Sequence, residues 1–566
     1  MTFRHKLAQS LLSMLALAIP LFIIGPLILF AANQSEFGVG FGNLFPLLTT
    51  ILGACLLIAV IFPLMPCRFF EKICALFIAL AVGVYVQGAF LVWDFGLFDG
   101  HAIDWSEYRR QIWGECLMWG GLIFTALYFA HTLMRHLRWY VAFLIGAPLL
   151  AVVVTFSQTP LRWSSERQFS DFDKFYRLSP ESNIIYVILD TFSAPEFDRL
   201  ATSDPEIAET FSDFVFFKNV SSSFPTTAPS IPLLLSGIEY DNRKPLKQFE
   251  EAILPQSLPS RLAADGYEVD IASLPQLCHF IRASMCEGLG ALVTNDAAAF
   301  RRIELAKLLD LTLFRYLPTI LKRVVYNDES WLLQSLLGKQ QGPLQQSLSI
   351  AFADSLVAKL NVTPGPPVFK FLHLLLPHPP TAFDRQCHLR RKHPADKKGP
   401  TVSRYEEQAR CALLLTSRLL DRLKKLNVYE QSLIVVSADH GYSGKYGRQH
   451  MRQDIPNIEK ALPLVLIKRP NQKNNGALVR SHAPGQLRDI PATIASIIGK
   501  DYAFNGQSLF SLDDTQNRQR RFYSYRWRNR NWATEYLPSM HEYLIQGDAW
   551  SADSWSDTGR ILEGGK

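Results

Sequence analysis

The chain has 566 residues, with charged residues at only 19%, against an ordinary share of about 25% for soluble proteins. The shortfall falls in the first ~160 residues, which hold nearly all the apolar runs of membrane-spanning length, and the rest reads as a mixed soluble body. That split excludes a purely cytosolic enzyme, a disordered chain and a fibre, and a net charge of +7 spread along the chain leaves no footprint for nucleic acid.

In chain order, the stretches 7–30, 44–64, 73–93, 112–133 and 139–154 are long enough to cross the hydrocarbon layer. A cleaved signal peptide has one such run, so the pattern predicts a retained five-helix transmembrane anchor over 1–158. Arg4 and Lys6, then Arg68 and Lys72, then Arg135 and Arg138 mark alternate connections. The other connections carry Glu36, Asp94, Asp99, Asp104 and Glu107, with Arg109 and Arg110 as a local exception. This bias predicts a cytoplasmic N-terminus and, after five crossings, an external C-terminal body. In the linker 159–182, Phe169, Phe172, Phe175 and Tyr176 recur at roughly helical spacing. A juxtamembrane helix is expected there, either on the membrane surface or packed on the soluble body.

From Asn183 onward, short β-branched runs alternate with helical patterns, which predicts an α/β domain over 183–510. Its sheet is expected to be mostly parallel and covered by helices on both faces. Strands are expected at 184–189, 214–217, 268–271, 368–372, 433–436 and 464–467, and the clearest helix at 405–425. Residues 511–566 read as strands extending this domain. Of 8 cysteines, Cys55, Cys67, Cys74 and Cys116 lie in or beside the apolar runs. The expected pairs among the others are Cys278 with Cys286 and Cys387 with Cys411, one of the three connectivities that four cysteines allow.

In open α/β sheets, chemistry gathers at the carboxyl ends of the strands. One apolar strand ends in Asp190 and another in Asp439-His440-Gly441. Carboxylates leaving buried strands at one sheet edge are costly unless compensated, so a cation is a natural partner, and acids with a histidine suit Zn²⁺ or Mn²⁺. Each acid alone also reads as a helix cap. In Phe224-Pro225-Thr226-Thr227-Ala228-Pro229, the prolines belong to a first helical turn, which places Thr227 at a helix N-terminus where backbone N–H groups favour negative charge. That position suits a phosphate-accepting nucleophile, and an ordinary cap threonine looks the same in isolation. His378, after another strand end, and His450, ten residues past His440, are candidates to bind a phosphate oxygen or protonate a leaving group. His373 reads as a packing residue within its strand, and the basic stretch Arg390, Arg391, Lys392, His393, Lys397 and Lys398 as a solvated loop or a contact for anionic groups.

Taken together, these segments resemble the alkaline phosphatase superfamily, in the branch of membrane-anchored phosphoethanolamine and phosphoglycerol transferases that includes the lipoteichoic acid synthases. The resemblance extends over about 183–510, where Asp489-Ile490-Pro491-Ala492-Thr493-Ile494 and Asn505-Gly506-Gln507-Ser508-Leu509 are similar to late sulfatase-fold segments. It implies one divalent metal, Zn²⁺ or Mn²⁺ with Mg²⁺ or Ca²⁺ as further options, held by Asp190, Thr227, Asp439 and His440. It implies Thr227 as the nucleophile, and His378 and His450 as substrate-phosphate ligands. Asp190 departs from the Glu usual in that branch and resembles the sulfatase side. The external cysteines are fewer than lipid A phosphoethanolamine transferases usually carry.

The implied activity is transfer of a phospholipid head group, phosphoethanolamine or phosphoglycerol, through a phospho-threonine onto a cell-envelope glycan or glycolipid. The donor would be phosphatidylethanolamine or phosphatidylglycerol, and the place the outer side of a bacterial cytoplasmic membrane. Two alternatives remain: a phosphodiesterase or sulfatase-type hydrolase, and a non-catalytic lipid-binding regulator. A sulfatase of this kind uses a Cys or Ser convertible to formylglycine with Arg four residues on, and Thr227 and Ile231 stand there instead.

Overall fold

The structure, a computed structural model, describes residues 2–565 apart from 35–36, 96–97, 99–102, 159–162, 164–168, 274–277, 279, 294–296, 328–329, 339–343, 391–401, 443–453, 475 and 528–534. The chain forms two compact units. One joins the N-terminal region to a later segment that runs from the helix Ala297–Tyr316 to the helix Leu332–Gly338. The other holds the remainder of the C-terminal body. The chain leaves the second unit for this insertion and then returns to it.

In the first unit, four helical stretches among the described residues are long and apolar enough to cross a membrane: Phe3–Ala32, Phe41–Leu64, Phe69–Ala89 and Leu137–Ser157. The first contains a π-helical turn, Pro20–Ile24, as expected where a proline removes a ladder donor. The fourth expected crossing, 112–133, corresponds to the helix Arg109–Tyr128, which carries Arg109, Arg110 and Glu115 and is not among the four.

In the second unit, an eight-stranded sheet comprises β1 (Asn183–Leu189), β2 (Val215–Phe217), β3 (Glu268–Ala272), β4 (Met285–Glu287), β5 (Val368–Leu374), β6 (Leu433–Ser437), β7 (Val465–Lys468) and β8 (Val479–Ser481). Their spatial order is β8-β2-β7-β6-β1-β5-β3-β4. The sheet is mixed: β7 runs antiparallel to both β6 and β2, and the other neighbours are parallel. All six strands expected from the sequence are present. The two short edge strands β4 and β8 carry no alternating pattern long enough to read. Every residue of β1, β5 and β6 is buried, as central strands covered on both faces require. The apolar core on one side combines Tyr186 and Val435 with Leu233 and Leu234 of the helix Thr227–Ser236 and with Ile490 and Ile494 of the helix Ile490–Ile497.

Only part of the linker lies among the described residues. It contains a 3₁₀ segment, Phe169–Tyr176, followed by the two-residue strand Arg177–Leu178. Phe172, Phe175 and Tyr176 are buried, with the Phe175 ring edge-on to Phe352 and the Tyr176 hydroxyl donating to Leu292 O. The aromatic stripe packs within the second unit because that burial removes three rings from water. C-terminal strands Gln519–Ser524, Met540–Gln546 and Trp555–Leu562 form a separate antiparallel sheet. The disulfides are Cys278–Cys286 and Cys387–Cys411, and the four free cysteines all lie in the first unit.

Candidate metal centre

Parallel pairing sets the site. Ile188 of β1 is opposite Ser437 of β6, so Asp190 and Asp439, each two residues further on, leave the sheet side by side. Asp190, Asp439 and His440 each offer a ligand atom, all within 4.8 Å of one another, and all three residues are buried. Thr191 takes a left-handed backbone with φ of 63°, a costly conformation for a β-branched residue. Its N–H donates to Asp439 Oδ1 at 3.1 Å. The Tyr405 hydroxyl holds the same turn: it donates to Thr191 O at 2.9 Å and accepts from Ser193 N at 2.9 Å. Tyr405 in turn stacks on Tyr442, with ring centroids 3.8 Å apart. Gly441 fits because a Cβ there would lie 2.5 Å from Glu459 O and 3.0 Å from Leu462 O.

The donor set suits a cation. Among the described residues, Asp190 Oδ1 and Asp439 Oδ2 are buried without a hydrogen-bond partner, a costly state for a carboxylate in the absence of a compensating charge. His440 Nδ1 sits 2.8 Å from Gly441 O, which assigns its proton there and leaves Nε2 as the ligand atom. Burial pushes the His440 imidazole pKa down, against the pull of Asp439, favouring the neutral ligand form. For Asp190, burial acts upward, but His378, His373 and His440 outweigh it and hold the carboxyl below its usual range.

The remaining sequence candidates differ in placement. Thr227 is the first residue of the helix Thr227–Ser236, with Thr226 as its N-cap. The approach to it is tied to the acids, since the Ser222 hydroxyl donates to Phe224 O at 2.7 Å and lies 3.3 Å from Asp439 O. His378 follows β5 and acts electrostatically on Asp190. Its carbonyl accepts from the Gln408 and Gln346 amides at 2.9 and 3.2 Å. His450 and most of the basic stretch after Arg390 lie outside the described residues.

Two residues take more specific places than their sequence context suggests. His373 is buried within β5, but its Nε2 lies 3.2 Å from Asp190 Oδ2 and its Nδ1 3.2 Å from Ser273 Oγ. Lys460 carries an ammonium pushed down by burial and drawn back by Glu459, Asp439 and Asp190. It also lines a cavity of about 280 Å³ with Pro225, Thr226, Asn457, Tyr525, Arg526 and Trp527. No local pattern marks Lys460. The alternation of His373 with apolar neighbours in a strand was the one available signal for its inward direction.

The sulfatase family model matches residues 182–500. The chain belongs to the sulfatase family. Members of this family are metal-dependent, and the acids and histidine gathered at the strand ends agree with that. No curated protein matches the chain. Among solved structures, it is similar to the lipoteichoic acid synthase LtaP from Listeria monocytogenes, at 14% identity and a TM-score of 0.38, covering 69% of this chain and 90% of that one. It is also similar to the phosphonate monoester hydrolase SpPMH from Silicibacter pomeroyi, at 15% identity and a TM-score of 0.40, covering 67% and 89%. A third is an alkaline phosphatase superfamily protein from Vibrio parahaemolyticus, at 12% identity and a TM-score of 0.40, covering 68% and 79%.

Proposed function

We propose that this sulfatase-family protein is a metal-dependent transferase that moves a phospholipid head group, phosphoethanolamine or phosphoglycerol, through a phospho-Thr227 intermediate onto a cell-envelope glycan or glycolipid. The observation that carries the reading is the pair of buried carboxylate oxygens on Asp190 and Asp439 that have no hydrogen-bond partner among the described residues, beside His440, in a chain whose described residues include four helices apolar enough to cross a membrane. Asp190, Asp439, His440 and Thr227 would hold a divalent ion, which would supply charge to stabilise the phosphoryl oxygens and acidify the threonine hydroxyl.

The residues then divide the work. Thr227 Oγ gives up its proton and forms a bond to phosphorus as the bond to diacylglycerol breaks, and the departing alkoxide takes up a proton. The N-terminus of the helix Thr227–Ser236 faces the anionic group, and His378, His450 and Lys460 hold its oxygens. An acceptor hydroxyl next attacks phosphorus, gives up its proton and restores Thr227. An anchor in the same membrane raises the effective concentration of the lipid donor. Two disulfides in the second unit, with every free cysteine in the first, agree with an oxidising outer side of a bacterial cytoplasmic membrane. They also support a fifth crossing through Arg109–Tyr128.

The full-length protein is incubated with head-group-labelled phosphatidylethanolamine or phosphatidylglycerol and digested for mass spectrometry. A mass increase on the Thr227 peptide, lost in Thr227→Ala, is expected, and its size identifies the transferred group. Undiminished diacylglycerol release by Thr227→Ala would reject the scheme.

A further inference from the structure

The insertion that runs from the helix Ala297–Tyr316 to the helix Leu332–Gly338 buries several polar groups while leaving an apolar face exposed. Thr319 N and Oγ1 donate to the two oxygens of Glu115 at 2.5 and 2.9 Å. Lys322 is buried, with Nζ 4.9 Å from the Phe95 ring centroid and 5.3 Å from that of Phe314. The buried Asp310 carboxylate accepts from Leu333 N and Gln334 N.

Some of its apolar groups turn outward. In the helix Thr319–Val325, Ile320, Leu321 and Val324 share one exposed face. Leu336 and Leu337 are exposed on the next helix, and the five range from 45% exposed at Leu321 to 69% at Leu336. Arg323 lies 5.7 Å from the Trp105 ring, a pairing suited to the boundary between hydrocarbon and water.

The inward contacts give this face a depth. A Cβ on Gly25 would meet Tyr316 Cε2 at 2.7 Å, and one on Gly88 would meet Tyr316 Cε1 at 2.1 Å. The Tyr316 ring therefore rests directly on the backbones of two membrane-crossing helices. Arg315 Nε adds a hydrogen bond to Gly88 O at 3.2 Å. Gly25 stands about 10 Å inside the end of the first apolar stretch at Ala32, given a rise of about 1.5 Å per residue. Glu115, the partner of Thr319, stands about 9 Å inside the start of Arg109–Tyr128.

We propose that this insertion is embedded in the bilayer boundary, with Ile320, Leu321, Val324, Leu336 and Leu337 against lipid acyl chains. Lipid is the occupant because the face continues the surface of a unit whose own helices expose large apolar residues, including Trp113, Leu117 and Phe124, and because its anchors lie within the length of those helices. The proposal is independent of the metal centre. A chain that enters the membrane from the middle of its soluble unit gains a second lipid attachment beyond its N-terminal helices.

The test uses the full chain with Cys55, Cys67, Cys74 and Cys116 replaced by alanine, reconstituted in phosphatidylethanolamine and phosphatidylglycerol vesicles. Single spin labels are placed at Leu321→Cys, Val324→Cys and Leu336→Cys, with Lys247→Cys, exposed in the second unit, as the aqueous reference. Collision with oxygen should exceed collision with a water-soluble nickel chelate several-fold at the three insertion sites, and the order should reverse at Lys247→Cys. Nickel access equal to that of the reference would overturn the proposal. Poor access to both reagents would also overturn it, by showing the face covered by protein. Labels at three sites on two helices keep the result from depending on one variant.

Discussion

His373 Nε2 lies 3.2 Å from Asp190 Oδ2, and both side chains are buried. With Ser273 Oγ on its other nitrogen, the imidazole fixes one carboxylate oxygen of Asp190, and Oδ1 has no hydrogen-bond partner among the described residues. Replacing such a partner typically lowers metal affinity about 10–100-fold. His373→Ala should show that loss in a direct metal titration, with partial recovery in His373→Gln, which keeps an amide donor. Unchanged affinity in His373→Ala would remove His373 from the positioning of Asp190.

Gly441→Ala places a methyl group 2.5 Å from Glu459 O, a backbone atom with little freedom to move. A cost of about 1–3 kcal/mol is expected, together with displacement of the adjacent His440. Thermal melting of the purified protein should fall, and metal should bind more weakly. An unchanged melting temperature would mean that the turn relaxes without strain.

A second buried charge pair crosses from β3 to β5. Asp270 Oδ2 and Lys370 Nζ are 2.8 Å apart with both side chains 1% exposed, and the ammonium also donates to Phe175 O. Asp270→Ala leaves the ammonium short of its countercharge, for an expected loss of about 3–5 kcal/mol. Asp270→Leu with Lys370→Met should cost less than either single change. Denaturant unfolding of the three variants measures the difference.

Burial raises the Glu250 carboxyl to about 7, with Lys247 opposing the shift. A carboxyl raised in the folded state contributes stability that is present below its unfolded pKa of about 4.3 and is lost as pH rises through about 7. Glu250→Gln should therefore melt above the wild type at pH 8 and converge with it near pH 4.5. Because the group is partly exposed, solvent screening limits the effect to about 1 kcal/mol. A difference that stays constant with pH would contradict this assignment.

Asp190, Asp439 and His440 were legible in the sequence because each follows a short, continuous apolar strand, and in such a sheet the strand ends share one edge. The six expected strands were legible from their apolar runs. β4 and β8 were not, since short strands at the sheet edges are defined by their neighbours more than by their own pattern. The linker aromatics show the limit of periodicity: the spacing of Phe172, Phe175 and Tyr176 indicated a buried stripe without saying what buries it.

What the sequence alone determined is therefore local: apolar runs long enough for a membrane, strands that end in acids and a histidine, and a threonine at the start of a proline-marked helix. Only the tertiary structure decided that His373 bonds to Asp190, that Lys460 lies near both acids, and that the segment holding Tyr316 belongs with the membrane helices. Those facts depend on strand register and on close approach at Gly25 and Gly88. Both arise between residues far apart in the chain, where no short-range pattern constrains the partner.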